Sequence, residues 1–311
     1  MASLLIIGGS GFFGKSFVEF YNERSFKNWG INKLFITSRT DQIIGGHKTI
    51  QYDSKNFKLL DEVDYIIYAA SSTDSQTYNI NYKNEINSQK KGMKNFQRLV
   101  NSFQKPPKIL YTSSGAVYGQ TNLNNNQTNE LKTKPNPDDN NEIKKVYANI
   151  KMEWEDFLLD NYPDHTLIAR CFAFVGPSLP LDKHFVIGNF IDDYLHNRVI
   201  NVEAKNKVYR SYMYSADLVE WLLTILTSNK TFNNRIYNVG SDEEIEIHDM
   251  ANIFNQLSNH PEKVYDLDNL ITERYVPAID LAREVFNLNL KFNLIQSIRS
   301  SLDYLINRKF S

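Results

Sequence analysis

Short apolar runs alternate with longer amphipathic segments along most of this chain. Runs at 3–7, 33–37, 48–52, 64–70, 108–113 and 166–172 have strand length and are bounded by polar or turn residues. The segments between several of them repeat apolar residues at helical spacing. Residues 80–103 predict a long polar helix whose buried stripe is Ile80, Ile86, Met93, Phe96, Leu99, Val100 and Phe103. Pro106 and Pro107 end it. Residues 142–161 predict a second long helix. Strand and helix in alternation predict an α/β fold, a Rossmann-type doubly wound parallel sheet. Beyond Pro177 the alternation loosens, into a helix at 185–197, a short strand at 199–202, a helix at 216–227, a returning strand at 235–239 and an amphipathic last helix at 294–306. The expected division is a first domain at 1–176, rejoined by 211–240, and a smaller C-terminal lobe at 177–210 and 241–311. Residues 120–141, rich in Asn with Pro135 and Pro137, read as a mobile surface loop.

The first apolar run ends in Gly8-Gly-Ser-Gly-Phe-Phe-Gly14, followed by a helical pattern. Glycines at 8, 11 and 14 allow a tight turn, close approach of backbone to a pyrophosphate, and close packing of helix on strand. The helix N-terminus favours phosphate. Gly8, Gly11, Phe12, Phe13 and Gly14 are therefore candidate dinucleotide contacts. The second strand runs into Ser38-Arg39, where this fold meets the adenosine ribose. Arg there accommodates a 2′-phosphate, favouring NADP(H), while a solvated loop Arg would leave NAD(H) open. Asp53, after the third strand, is placed to accept from the adenine amino group. Ala69 and Ala70 end the fourth strand with small residues where a cofactor passes near the backbone.

Tyr147 and Lys151 are four apart in a segment free of Gly and Pro until Pro163, so they share a helix face. An ammonium beside a phenol favours the phenolate and brings proton transfer toward neutral pH. An exposed Tyr and Lys on an amphipathic helix would show the same spacing. Ser114 falls at the C-terminal end of the fifth strand, where open parallel sheets hold ligands.

Composition narrows the classes. A formal net charge of −1 and 41% hydrophobic residues describe an ordinary globular chain, without the basic footprint of a nucleic-acid or anionic-membrane partner. No apolar run reaches the roughly 20 residues that span a bilayer, and the N-terminus enters the first strand without an export pattern, so a cytoplasmic location is expected. The single cysteine, Cys171, reads as core. No Cys/His cluster has ligand spacing, and no metal site is expected.

The glycine turn, the strand ending Tyr-Thr-Ser-Ser-Gly-Ala-Val-Tyr-Gly119, the Tyr147-x-x-x-Lys151 helix and Arg170-Cys-Phe-Ala-Phe-Val-Gly-Pro177 together resemble the extended short-chain dehydrogenase/reductases. Within them the chain is most similar to the NAD-dependent epimerase/dehydratase branch acting on nucleotide sugars. Arg210 to Val219 and Tyr237-Asn-Val-Gly240 extend the resemblance over nearly the whole chain. It implies that Tyr147 is the acid/base, that Lys151 lowers its pKa and holds the nicotinamide ribose, and that Ser114 bonds the reacting oxygen. It further implies that Arg210, Arg274 and Asn189 bind the substrate diphosphate, that His184 is a counterpart of a proton-transferring histidine, and that two long helices form a homodimer. Departures narrow the chemistry. The family's 4,6-dehydratases carry an Asp-Glu pair where this chain has Gly115 and Ala116, and neither of these can move a proton. Ala173 and Gln89 stand where the family usually has Asn. The expected activity is 4-keto-sugar reduction or 4-epimerisation of a nucleotide-diphosphate sugar. The alternatives are a dTDP-glucose 4,6-dehydratase-like enzyme and a non-catalytic dinucleotide-binding sensor or scaffold.

Overall fold

A computed structural model describes residues 2–53, 60, 62–71, 75–119, 128–137, 141–181, 185–229, 234–265 and 268–309. In chain order the elements are β1 (Ala2–Ile7), α1 (Phe12–Arg24), β2 (Ile31–Ser38), β3 (Ile43–Ile44), β4 (His47–Lys48), β5 (Ile50–Gln51), β6 (Tyr65–Tyr68), α2 (Ser75–Val100), β7 (Lys108–Ser114) and α3 (Glu142–Asn161). There follow β8 (Thr166–Cys171), β9 (Phe174–Val175), α4 (Val186–Leu195), β10 (Asn206–Ser211), β11 (Met213–Tyr214), α5 (Ser215–Thr227), β12 (Ile236–Val239), β13 (Glu244–Glu246), α6 (Ile247–Leu257), β14 (Asp268–Tyr275), α7 (Asp280–Phe286) and α8 (Leu294–Lys309). The chain forms two compact units. One comprises residues 1–119, 136–171 and 219–237, the other 120–135, 172–218 and 238–311.

The first unit is built on a parallel seven-stranded sheet in the order β12-β8-β7-β6-β1-β2-β5. From β1 the chain steps outward to β2 and β5, then returns to β6 on the other side and continues to β7 and β8. The order therefore reverses between β1 and β6, and in such sheets ligands lie beyond the strand ends at that reversal. Strands β1, β7 and β8 are buried almost throughout, as expected for strands covered on both faces. Helices α2 and α3 bury Phe96, Leu99, Ile150, Trp154 and Leu158 against Leu5, Ile66, Ile109, Tyr111 and Ile168. Trp154 is the hub of this layer. Its ring stacks on Tyr111 at 5.7 Å between centroids and lies 4.3 Å from that of Tyr68, while its indole N–H donates to Gln89 Oε1 at 2.9 Å. Gly92 brings α2 close enough for this, since a Cβ there would sit 3.3 Å from the Tyr68 hydroxyl.

The second unit holds a three-stranded sheet, β13-β10-β14, together with α4, α6, α7 and α8. The strand expected at 199–202 is irregular, because the Asn255 amide takes both sides of the Ile200 backbone, donating to its carbonyl at 3.1 Å and accepting from its N–H at 2.9 Å. The strand forms later, at Asn206–Ser211, pairing with β14, an element whose polar sequence gave no strand signal. In the first unit the run at 48–52 is split between a β3–β4 hairpin and β5, with the Thr49 hydroxyl bound to the Gln42 backbone between them. The expected loop at 120–141 is anchored at Thr128, whose N–H donates to Val276 and whose carbonyl accepts from Ala278. Helix α2 ends at Val100, not at 103.

Candidate active site

At the end of β1, Gly8 has φ +102°, and a Cβ there would meet the Ala69 carbonyl carbon at 2.7 Å. The turn is thus pressed against the end of β6, bringing Ala69 and Ala70 beside it. Gly14 lies on α1 where a Cβ would fall 2.3 Å from Gly9 Cα, so only glycine lets α1 descend onto the turn. Gly11 is different. It caps α1 without any side-chain hydrogen bond, and a Cβ there meets nothing nearer than 3.5 Å. The first amides of α1 open at this cap, with Phe12 and Phe13 half-buried beside it. At the end of β2, Ser38 is buried and its hydroxyl is engaged with Thr40, accepting from the Thr40 N–H at 3.2 Å and donating to its carbonyl. Arg39 is exposed. Asp53 is half-buried and accepts from the Gln51 amide at 3.1 Å.

The N-terminus of α3 is set by Asn141, whose side chain accepts from the N–H groups of Ile143 and Lys144 at 3.0 and 3.2 Å. One and a half turns in, Tyr147 is half-buried; a turn later Lys151 is buried, only 4% exposed. The Lys151 ammonium lies 5.6 Å from the centroid of the Tyr147 ring and 5.0 Å from that of Tyr111, and donates to the Thr112 carbonyl at 2.9 Å. Burial lowers its pKa to about 8, against the opposing pull of Cys171 and Glu155. Ser114 ends β7 with its hydroxyl accepting from Ala116 N–H at 3.1 Å. Through Thr112, Lys151 thus ties α3 to the strand that carries Ser114.

A buried network under this cluster had no counterpart in the sequence reading. Glu155, one turn beyond Lys151, accepts from the Ser113 hydroxyl and from Arg170 Nε and Nη2 at 3.0 and 2.6 Å. Arg170 also donates to the Tyr118 hydroxyl at 3.1 Å. Its signal was the third step of the same four-residue spacing, 147, 151 and 155, which puts Glu155 on the face of Tyr147 and Lys151.

The remaining sequence candidates belong to the second unit. Asn189 is exposed on α4. Arg210 and Arg274 stand on the paired strands β10 and β14, and each meets a carboxylate: Arg210 that of Glu273, Arg274 that of Glu244. The Arg274 guanidinium also lies 4.3 Å from the centroid of the Tyr209 ring. His184 lies outside the described residues. Among the described residues no group of acidic, His or Cys side chains could hold a metal ion, and no helix is long and apolar enough to cross a membrane.

Against known proteins, the chain is 26% identical to UDP-glucuronic acid decarboxylase 3 of Arabidopsis thaliana over 95% of its own length and 86% of the relative's. Among solved structures it is similar to the UDP-glucose 4-epimerase of Thermotoga maritima with UDP-glucose, at a TM-score of 0.78 and 15% identity, covering 99% of this chain and 100% of that one. It is also similar to RMD from Pseudomonas aeruginosa complexed with NADPH, at a TM-score of 0.77 and 20% identity, again covering 99% and 100%. These likenesses confirm the Rossmann-type fold. Residues 4–240, which include the glycine turn, Ser114 and the Tyr147–Lys151 pair, match one family throughout, and the chain belongs to the NAD dependent epimerase/dehydratase family.

Proposed function

We propose that the protein is a nucleotide-sugar oxidoreductase, in which hydride moves between a nicotinamide dinucleotide and carbon 4 of the sugar while Tyr147 moves the proton on the oxygen there. The supporting observation is the packing of the Lys151 ammonium on the Tyr147 ring and the Thr112 carbonyl, two residues before Ser114.

The first unit fits a dinucleotide. Gly11 leaves open the space above the α1 amides, and the small Ala69 and Ala70 flank the turn. Gly8, Gly11, Phe12, Phe13 and Gly14 would hold the pyrophosphate, Ser38 and Arg39 the adenosine ribose, Asp53 the adenine, and Tyr147 with Lys151 the nicotinamide ribose. Exposed Arg39, with no acidic residue beside it in sequence until Asp41, favours NADP(H) over NAD(H). When bound, the cofactor gives or takes hydride. In the reducing direction the Tyr147 hydroxyl donates its proton to the developing alkoxide, Ser114 donates a hydrogen bond to the same oxygen, and the Lys151 cation stabilises the phenolate left behind. Arg210, Arg274, Asn189 and His184 would contact the substrate. The two arginines would exchange Glu273 and Glu244 for diphosphate oxygens.

Gly115 and Ala116 offer no carboxyl group to expel water, so net 4-keto reduction is the leading outcome and 4-epimerisation the next. A second reading draws on the decarboxylase relative. Oxidising C4 of a nucleotide hexuronic acid would make a β-keto acid whose C5–C6 bond breaks to release carbon dioxide; the electron pair passes to the C4 oxygen as an enolate, which Tyr147 can protonate, and C5 takes its proton from water, so residues 115 and 116 do not oppose it. A panel of nucleotide 4-keto-6-deoxy sugars, nucleotide hexoses and nucleotide hexuronic acids separates these outcomes. Stoichiometric NADPH consumption marks reduction, inversion at C4 with cofactor unchanged marks epimerisation, and carbon dioxide release marks decarboxylation. Cofactor binding with no turnover of any member would leave only a sensor or scaffold.

A further inference from the structure

Charged side chains are rarely buried unless they are paired, and replacing a buried ion pair by apolar residues is often neutral or stabilising. Glu155, one helical turn from Lys151, and Arg170 on β8 are nonetheless 3% and 4% exposed. The pair joins three elements. Glu155 comes from α3, Arg170 from β8, and the Ser113 hydroxyl that Glu155 holds comes from β7, adjacent to Ser114. Arg170 Nη1 donates to Tyr118, the last residue of the turn that Ser114 caps, with its guanidinium 4.9 Å from that ring's centroid.

We propose that Glu155, held by Arg170, is a positioning residue for the Tyr147–Lys151–Ser114 centre: it keeps Lys151 a cation and, through Ser113, locks the strand that presents Ser114 against α3. The inference rests on the function proposed above, but its electrostatic half can be tested without turnover.

The groups facing Lys151 are few among the described residues. From α3 come Tyr147 and Glu155, from β7 the Tyr111 ring and the Thr112 carbonyl, and from β8 Cys171, while Arg170, also on β8, pairs with Glu155. The Cys171 thiol is pushed by burial up to about 12, so it carries no charge at neutral pH. That leaves Glu155 as the carboxylate opposing the desolvation of Lys151. Thr112 contributes only a carbonyl dipole. Arg170, paired with Glu155, carries the opposite sign, so removing Glu155 alone leaves Lys151 its own desolvation and the network an unpaired guanidinium.

The experiment is an NMR titration of protein labelled with [6-13C]lysine, the Lys151 signal being identified by its loss in Lys151→Met. Glu155→Gln, equal in size but uncharged, should lower the Lys151 midpoint by about one pH unit or more. Glu155→Asp, which keeps the charge, should move it far less. Should E155Q not be recovered folded, the neutral pair E155Q/R170M replaces it and should lower the midpoint by a smaller amount. In turnover, E155Q should reduce kcat with KM nearly unchanged and shift the upper limb of the pH–rate profile downward with the NMR midpoint. A midpoint unmoved in the charge-removing variants would overturn the inference, leaving a purely structural pair. A moved midpoint with an unmoved pH–rate limb would instead count against the role of Lys151 in the chemistry.

Discussion

The Lys151 ammonium sits 5.6 Å from the centre of the Tyr147 ring, one turn earlier on the same helix, and is buried. A buried cation against a phenol is costly to the fold and useful for proton transfer, because the phenolate it stabilises forms only when the proton leaves.

That cost has a pH signature. With Lys151 lowered by burial to about 8 from its ordinary 10.5, the unfolded chain holds more protons than the folded one between those values. Burial therefore weighs most on stability below pH 8, and the weight is lifted as pH rises toward 10.5. At about 1.4 kcal/mol per pH unit it reaches about 3 kcal/mol. Lys151→Met should unfold at higher denaturant concentration than the wild type at pH 7, with the gap narrowing above pH 8. A gap independent of pH would show that the lysine carries no such burden.

The glycine turn separates packing from binding. Gly14→Ala drives a methyl group into Gly9 and should lower stability by about 1–3 kcal/mol. Gly11→Ala meets nothing closer than 3.5 Å and should leave the melting temperature within a degree or two, while weakening dinucleotide binding about tenfold or more by filling the space above the helix amides. Thermal unfolding beside a cofactor titration checks both. Unchanged cofactor affinity in G11A would remove the phosphate from this turn.

The proposed preference for NADP(H) rests on Arg39. Arg39→Ser should raise the KM for NADPH about tenfold or more and leave that for NADH nearly unchanged. Equal effects on both cofactors would place Arg39 outside the 2′-phosphate contact.

Much of this was legible because parallel α/β sheets write themselves into sequence as doubly buried apolar runs, as at β1, β6, β7 and β8, and because α3 keeps helical spacing over its full length from Glu142 to Asn161. The glycine turn was readable because its geometry admits no Cβ at positions 8 and 14. The second unit was harder. Strand β14 is polar and pairs with β10 from about sixty residues away, and Asn255 replaces strand pairing at Ile200 with side-chain hydrogen bonds that no periodicity announces. The Glu155–Arg170 pair was hidden for a related reason. Arg170 sits inside an apolar run and Glu155 on a helix where a charge ordinarily faces water; the four-residue spacing places Glu155 on the face of Lys151, but only the fold shows that Arg170 is its partner.

Transfer of deuterium from deuterated NADPH to the substrate tests the central claim most directly, followed by mass spectrometry and NMR of the product from a nucleotide 4-keto-6-deoxy sugar. The expected result is one deuterium at sugar C4 with the wild type, and a rate at least about a hundredfold lower with Tyr147→Phe at nearly unchanged KM. Label retained on the cofactor across the whole substrate panel, or transfer as fast in Tyr147→Phe as in the wild type, would contradict it.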